Sequence, residues 1–235
     1  MHRVARYGGG RCELWLTPCI VTVPPTGSAV LCVPSNERLC GTAFPHFPVG
    51  GPTPSAPLIG ERARASPESA AARMLYQCES VDGAVTELGG VDPDVVARHA
   101  PLQSGDAEYP TRCTAGGAVW VLASGSLAPV FPRGLVLAVP PFWPGAATAK
   151  WRADLASTYA RALALGAKRG PVAVPLLGAG ARGAPVAAAA AVAAAATAEH
   201  LRRSRRLDAR VKFGVIDDDA ADALGAELSR ALERR

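Results

Sequence analysis

The sequence predicts an α/β fold: a three-layer α/β/α sandwich around a central mixed, largely parallel sheet. In the second half of the chain, short apolar runs typical of strands alternate with amphipathic or alanine-rich segments typical of helices. Several of these runs are continuously apolar, as expected for strands buried on both faces. With 235 residues, 49% of them hydrophobic, the chain is long enough to bury the core of one such domain.

The N-terminal half predicts few elements and one insertion. The predicted elements are strands at 12–23 and 29–35, a helix that begins with Ser66 as its N-cap, and a short helix at 81–90 that ends at its glycines. Residues 42–79 are dense in proline and glycine at their start. We therefore interpret them as an insertion into a single domain that spans residues 1–235.

The C-terminal half predicts a regular alternation of strand and helix. Strands are predicted at 118–124, 134–143, 171–177 and 210–217, and helices at 148–166, 184–203 and 218–234. The alanine run at 187–196 has a very high helix propensity, but it is too short and too weakly hydrophobic to predict a membrane span.

Charge and cysteine content limit the classes of function. The net charge is +5, and the basic residues cluster in 199–210, which favours a solvated helix face over a nucleic-acid interface. None of the six cysteines forms a CxxC pair, so buried reduced thiols are favoured over a zinc site, and we expect neither metal nor cofactor. The first ten residues lack the apolar core of a signal peptide, and we expect an intracellular protein, cytoplasmic or nuclear.

A glycine-rich loop is the strongest candidate for a ligand site. In "VPLLGAGARGAP", residues 174–185, a buried strand is followed by three glycines and then by a helix. Backbone N–H groups in such a loop can approach an anion closely, and the following helix adds the positive end of its dipole. The loop lacks the residues of a Walker loop, and a simple tight turn is the alternative interpretation.

Five segments of the chain resemble, in order, the motifs of the macro domain family, which binds ADP-ribose. The matching positions are Asn36, Leu39 and Gly41 in "AVLCVPSNERLCG"; Val81, Asp82, Gly83, Ala84 and Gly90 in "SVDGAVTELGG"; and Pro175, Gly180, Gly183 and Pro185 in "PLLGAGARGAP". The segments "CTAGGAVWV" and "LVLAVPPFW" occupy the places of two further motifs.

The resemblance implies a cleft for ADP-ribose at the C-terminal edge of the strands. It implies catalytic roles for Asn36, as a ligand of the distal ribose, and for Asp82, as the group that orients or activates water. Without a ligand role, Asn36 would be a turn residue and Asp82 a helix N-cap. The implied ligand contacts are Cys19, Ile20, Val81, Gly83, Gly178, Ala179, Gly180, Ala181, Arg182 and Gly183.

The chain departs from the family motifs at several of these places. Cys19 stands where the family has an aspartate that accepts from the adenine amino group, and Val33 and Leu137 also differ from the family residues. Arg182 replaces an aromatic residue of the glycine loop, and it is either a direct phosphate contact or an exposed loop arginine. Phe44, His46 and Phe47 in the insertion either line the mouth of the cleft or anchor the loop.

Three functions remain open at this point. The chain could bind ADP-ribose or a related nucleotide, free or attached to a protein, without chemistry. It could also hydrolyse mono-ADP-ribosyl bonds, which requires Asp82 to lie beside Asn36. The third function is that of an interaction or structural protein without a nucleotide ligand, because one fold supports many functions.

Overall fold

The structure is a computed structural model that describes residues 1–39, 81–104, 111–204 and 210–233. Its strands are β1 (His2–Tyr7), β2 (Cys12–Leu16), β3 (Val30–Pro34), β4 (Ala118–Val121), β5 (Leu135–Ala138), β6 (Val172–Val174) and β7 (Val211–Val215). Its helices are α1 (Val81–Glu87), α2 (Pro93–His99), α3 (Ala149–Ala167), α4 (Val186–Arg203) and α5 (Asp218–Leu232). The predicted insertion at 42–79, the helix from Ser66 and residues Phe44, His46 and Phe47 lie outside the described residues.

The strands form one mixed sheet in the order β1-β2-β7-β6-β3-β5-β4. The five central strands run parallel to one another, whereas β1 and β4, at the two ends of this order, are antiparallel to their neighbours. The predicted mixed, largely parallel sheet is therefore confirmed. All five parallel strands end at the same edge of the sheet, so the loops that follow them meet there.

Helices cover both faces of the sheet, as predicted for a three-layer sandwich. On β3, Val30 and Cys32 belong to the core beneath α3, α4 and α5, while Leu31 and Val33 belong to the core beneath α1 and α2. This division follows from the two-residue period of a strand, since successive side chains point to opposite faces. The alanines of α4 that face the core are completely or almost completely buried, and their small side chains allow close packing: Ala189, Ala190, Ala193 and Ala194.

Two elements were not predicted from the sequence, and several predicted strands were too long, most clearly those at 12–23 and 134–143. The missed elements are β1 and the seven-residue helix α2. The strand predicted at 12–23 ends at Leu16, because the chain then turns and the Thr17 hydroxyl donates to the Val23 carbonyl at 2.6 Å. The strand predicted at 134–143 ends at Ala138, just before two prolines that have no N–H to donate.

Side-chain caps fix the starts of the two helices α3 and α5. The Thr148 hydroxyl accepts from the Trp151 N–H at 3.1 Å, and an Asp217 carboxylate oxygen accepts from the Ala220 N–H at 2.7 Å. Among the described residues, no helix combines the length and the apolar composition that crossing a bilayer requires.

The described cysteines are free thiols, and most of them are buried. Cys12, Cys32 and Cys113 lie in the core, as predicted, whereas Cys19 is half-buried. Burial raises the pKa of Cys32 to about 12, so this thiol stays protonated and unreactive.

Candidate functional site

The glycine-rich loop lies between β6 and α4, at the edge of the sheet where the parallel strands end. Gly178 has a φ of 90° and Gly183 a φ of 77°, in the left-handed region where glycine is favoured. The loop closes on itself, because the Gly183 N–H donates to the Gly180 carbonyl at 2.8 Å and the Ala184 N–H donates to the Gly178 carbonyl at 2.9 Å. The amide of Gly183, predicted as part of the ligand contact, is therefore already used inside the protein.

Five other backbone amides of this loop have no hydrogen-bond acceptor within the described part of the chain. In the part of the chain that the structure describes, the N–H groups of Gly178, Ala179, Gly180, Ala181 and Arg182 donate to no acceptor of the protein. Gly180 is exposed and Ala179 and Ala181 are half-buried, whereas Gly178 and Arg182 are buried, so the loop opens to solvent at its centre. Consecutive unpaired N–H groups before the first turn of a helix form a favourable environment for an anion.

Tyr159 supports the loop from below. This residue lies on α3, is completely buried, and its hydroxyl oxygen accepts from the Leu177 N–H at 2.8 Å. Burial raises the pKa of Tyr159, so the hydroxyl remains protonated at any physiological pH. The side chain of Leu155, also on α3, packs beneath Gly178. Helix α3 therefore fixes the entry to the loop.

Arg182 connects the glycine loop with two neighbouring loops. Its guanidinium donates to the Ser35 carbonyl at 2.9 Å and to the two carboxylate oxygens of Glu37 at 3.2 and 3.3 Å. Its Cζ atom lies 4.1 Å from the ring centroid of Phe142, and its own carbonyl accepts from the Trp143 N–H at 2.8 Å.

The side chain of Arg182 is only 8% exposed. The interpretation of Arg182 as an exposed loop arginine is therefore wrong, because the protein itself supplies the partners of the guanidinium.

Asn36 lies in a turn directly after β3. Its side-chain oxygen accepts from the Arg38 N–H at 3.0 Å, and its carbonyl accepts from the Leu39 N–H, also at 3.0 Å. These bonds are typical of the turn residue that the sequence analysis gave as one interpretation. Asn36 itself is 8% exposed, so the turn places it at the margin of the buried core.

Asp82 lies in the first turn of α1, a helix that packs against β3. It is the second residue of the helix, so the interpretation as an N-cap is wrong. Like Asn36, Asp82 is only 8% exposed. Gly83 is buried as well, whereas Val81 is half-buried and packs against the core on this face of the sheet.

Cys19 and Ile20 lie in the loop after β2, on the far side of β7 from the glycine loop. The Cys19 carbonyl accepts from the Val23 N–H at 2.8 Å, which closes a single helical turn. The Ile20 side chain is buried against Gly214, where an added Cβ would approach it to 2.8 Å. Ile20 can therefore offer a ligand its backbone, but not its side chain.

The structure thus joins the glycine loop and the Asn36 turn directly, and it packs α1, the helix that carries Asp82, against the strand that leads into that turn. The sequence analysis missed Glu37, Phe142 and Tyr159. Glu37 follows Asn36 in the motif and could have been noticed there, but no sequence signal marks the other two. Among the described residues, no group of three or more histidines, cysteines and acidic residues could hold a metal ion.

Comparisons with known proteins agree on one family. The family model described as "Macro domain" matches residues 69–193, more than half of the chain. No curated protein matches the sequence.

The fold is similar to that of a macrodomain variant of Oceanobacillus iheyensis solved with ADPR: 16% identity, a TM-score of 0.63, and coverage of 95% of this chain and 94% of that one. It is also similar to the Trypanosoma brucei macrodomain in complex with ADP-ribose: 14% identity, a TM-score of 0.57, and coverage of 92% and 68%. At such identities the likeness concerns the fold.

Proposed function

This chain belongs to the macro domain family, and on that premise we propose that it binds ADP-ribose, free or attached to a protein. The diphosphate rests on the glycine loop. The observation that carries this proposal is the set of five consecutive amides, from Gly178 to Arg182, that donate to no protein acceptor in the described part of the chain. A diphosphate supplies enough acceptor oxygens to satisfy several of them at once.

The ribose end of the ligand lies toward Asn36 and Asp82 in this proposal. Arg182 links the Asn36 turn to the glycine loop, so a ligand whose diphosphate contacts the loop has its next sugar near that turn. The Asn36 amide can both accept from and donate to ribose hydroxyls. The solved T. brucei macrodomain in complex with ADP-ribose supports the choice of an adenosine diphosphate ligand of this kind.

Recognition of the base differs from the family pattern. A thiol is a weak acceptor, so Cys19 cannot select an adenine amino group as an aspartate would. The residues of this loop contribute mainly backbone atoms and the surface of the half-buried Cys19, since Val21 is completely buried. We therefore expect discrimination between adenine and other purines to be weak.

Hydrolysis is a second candidate function of the same cleft. Asp82 is supported as the base by its place on α1, against β3 and thus near the Asn36 turn. In this reaction the Asp82 carboxylate takes a proton from water as the water oxygen bonds to the anomeric carbon. The bond from that carbon to the modified side chain breaks, and the leaving group takes up a proton.

Binding and hydrolysis can be tested separately. For binding, titration calorimetry with ADP-ribose is expected to give a saturable heat, and ribose 5-phosphate, which lacks the diphosphate, serves as the weaker control. No heat and no rise in melting temperature at millimolar ADP-ribose would contradict the proposal and leave the interaction or structural role.

The hydrolysis test uses the release of ADP-ribose from a mono-ADP-ribosylated protein. Asp82→Asn is expected to lower the rate by 100-fold or more while ADP-ribose affinity stays within about threefold, since removal of a general base typically costs about 10²–10⁴-fold. Equal rates in the two proteins would exclude Asp82 as the base. An ADP-ribosylated protein as the natural partner and a cytoplasmic or nuclear location both remain predictions.

A further inference from the structure

We propose that Arg182 is a positioning residue: with Glu37 as its counter-ion, it holds the glycine loop in the form that presents its free amides, and its side chain does not bind the phosphate. This inference rests on the proposed function of the cleft. Arg182 is a cation beside the predicted diphosphate site, so the simpler expectation is a direct contact between its guanidinium and the phosphate. The contacts of the guanidinium argue against that expectation.

The Arg182 side chain is committed to the protein on three sides. Its two terminal nitrogens make three hydrogen bonds, two to Glu37 and one to the Ser35 carbonyl. One face of the guanidinium lies over the ring of Phe142. Such a planar fork fits a carboxylate bidentately and stacks on an aromatic ring, which a lysine cannot do in the same way.

A move of this guanidinium to a ligand would be costly. The buried Ser35 carbonyl would lose its partner, and a buried polar group without a partner costs more than the hydrogen bond contributed. The Glu37 carboxylate, 31% exposed, would lose its counter-ion. The opposite charges of Arg182 and Glu37 also cancel, so the pair carries almost no net charge. The attraction for a diphosphate must then come from the loop amides and the helix dipole of α4 rather than from a free cation.

The same contacts explain how the loop keeps its form. Arg182 belongs to the glycine loop, Ser35 and Glu37 follow β3, and Phe142 follows β5. One side chain therefore anchors the exposed part of the loop to two neighbouring strand ends. Tyr159 fixes the loop at its entry, through Leu177, and two backbone bonds close it on the Gly178 and Gly180 carbonyls. The Arg182 side chain adds the contacts that tie the far end of the loop to the residues after β3 and β5.

Two conservative variants separate positioning from direct contact. Arg182→Lys keeps the charge but loses the fork, and Glu37→Gln keeps the size but loses the carboxylate. If Arg182 positions the loop, Arg182→Lys weakens ADP-ribose binding by 10-fold or more, and Glu37→Gln weakens it by 3- to 10-fold. Glu199→Gln is the matched control: it breaks an exposed ion pair on α4, with Arg202 and Arg203, and is expected to change affinity by less than twofold.

Titration calorimetry with ADP-ribose gives the affinities, and hydrogen–deuterium exchange of the ligand-free protein gives the state of the loop. We expect faster exchange of the Gly183 and Ala184 amides, the two that are hydrogen-bonded within the loop, in both cleft variants but not in Glu199→Gln. The proposal is overturned if Arg182→Lys binds within threefold of the parent and Glu37→Gln binds more tightly, because the guanidinium would then contact the phosphate.

Affinities that do not change in either variant would also overturn the proposal, since the pair would then stabilise the fold without affecting the site. Failure of the proposed function looks different. In that case the parent protein does not bind ADP-ribose at all, while the exchange of the loop in the ligand-free variants still reports whether Arg182 positions it.

Discussion

Substitution of Gly180 tests the role of the glycine loop without disturbing the fold. A Cβ built at this position meets no atom of the protein within 4 Å, and its φ lies outside the left-handed region. A valine side chain at this residue would therefore project into open space beside the free amides. Replacing glycine where the backbone is compatible stabilises a protein by about 0.4–1 kcal/mol through the unfolded state. The free energy of unfolding of Gly180→Val should thus stay within about 1 kcal/mol of the parent.

The same substitution should strongly weaken ligand binding. Valine adds a Cβ and two methyl groups next to amides that a phosphate oxygen must approach to about 2.9 Å. Loss of one hydrogen bond to a charged group costs about 1.5–3 kcal/mol. A loss of about 2 kcal/mol corresponds to an increase in Kd of about 30-fold, and the loss of two bonds to 1000-fold or more.

Calorimetric titration with ADP-ribose, together with urea unfolding, measures both effects. Ala195→Val, at an exposed position in the middle of α4, is the control for adding a valine, and it should bind like the parent. Gly178→Ala is the contrasting variant, because its φ of 90° makes any side chain strained and should cost about 1–2 kcal/mol of stability. If Gly180→Val folds normally and binds ADP-ribose as tightly as the parent, the assignment of the diphosphate to this loop is refuted.

Two further predictions concern the completely buried Tyr159 and the half-buried His200. Tyr159→Phe removes the acceptor of the Leu177 N–H in a completely buried position, so urea unfolding should show a loss of about 1–3 kcal/mol; a change below about 0.5 kcal/mol would contradict the account. Burial, and next the charge of Arg11, lower the pKa of His200 in the folded protein. On acidification below about pH 6.5, the unfolded chain therefore binds a proton at His200 before the folded protein does, and the free energy of unfolding falls. His200→Gln should reduce this fall between pH 7 and 5, measured by urea unfolding at each pH, and an unchanged slope would show that other groups cause it.

The sequence predicted the sheet and its main helices because the apolar runs are continuous where strands are buried on both faces. It failed for β1, since this strand carries two arginines and a histidine, and four of its six side chains are exposed. Only Ala5 and Tyr7 of this strand face the core, too few to produce an apolar pattern. Helix α2 was missed because seven residues span barely two turns, too few for a periodic signal.

Only part of the site was predicted, because some of its contacts join residues that are far apart in the sequence. The glycine loop could be predicted because backbone conformation is a local property of the sequence: Gly178 and Gly183 adopt the left-handed conformation that glycine favours. The partners of Arg182 could not be predicted, because Glu37 is 145 residues away in the chain and the pair forms only when β3 and β6 lie side by side. Motif spacing identifies which residue stands at a position, but packing between neighbouring strands decides what its side chain contacts.

Amide chemical shifts in a titration of the ¹⁵N-labelled protein with ADP-ribose test most directly whether the free amides of the loop hold the diphosphate. The account predicts that the largest shifts fall on Gly178 to Arg182, with smaller ones on Gly183 and Ala184, whose N–H groups already donate within the loop. Saturable shifts that leave residues 178–182 unmoved, or no shifts at millimolar ligand, would contradict it.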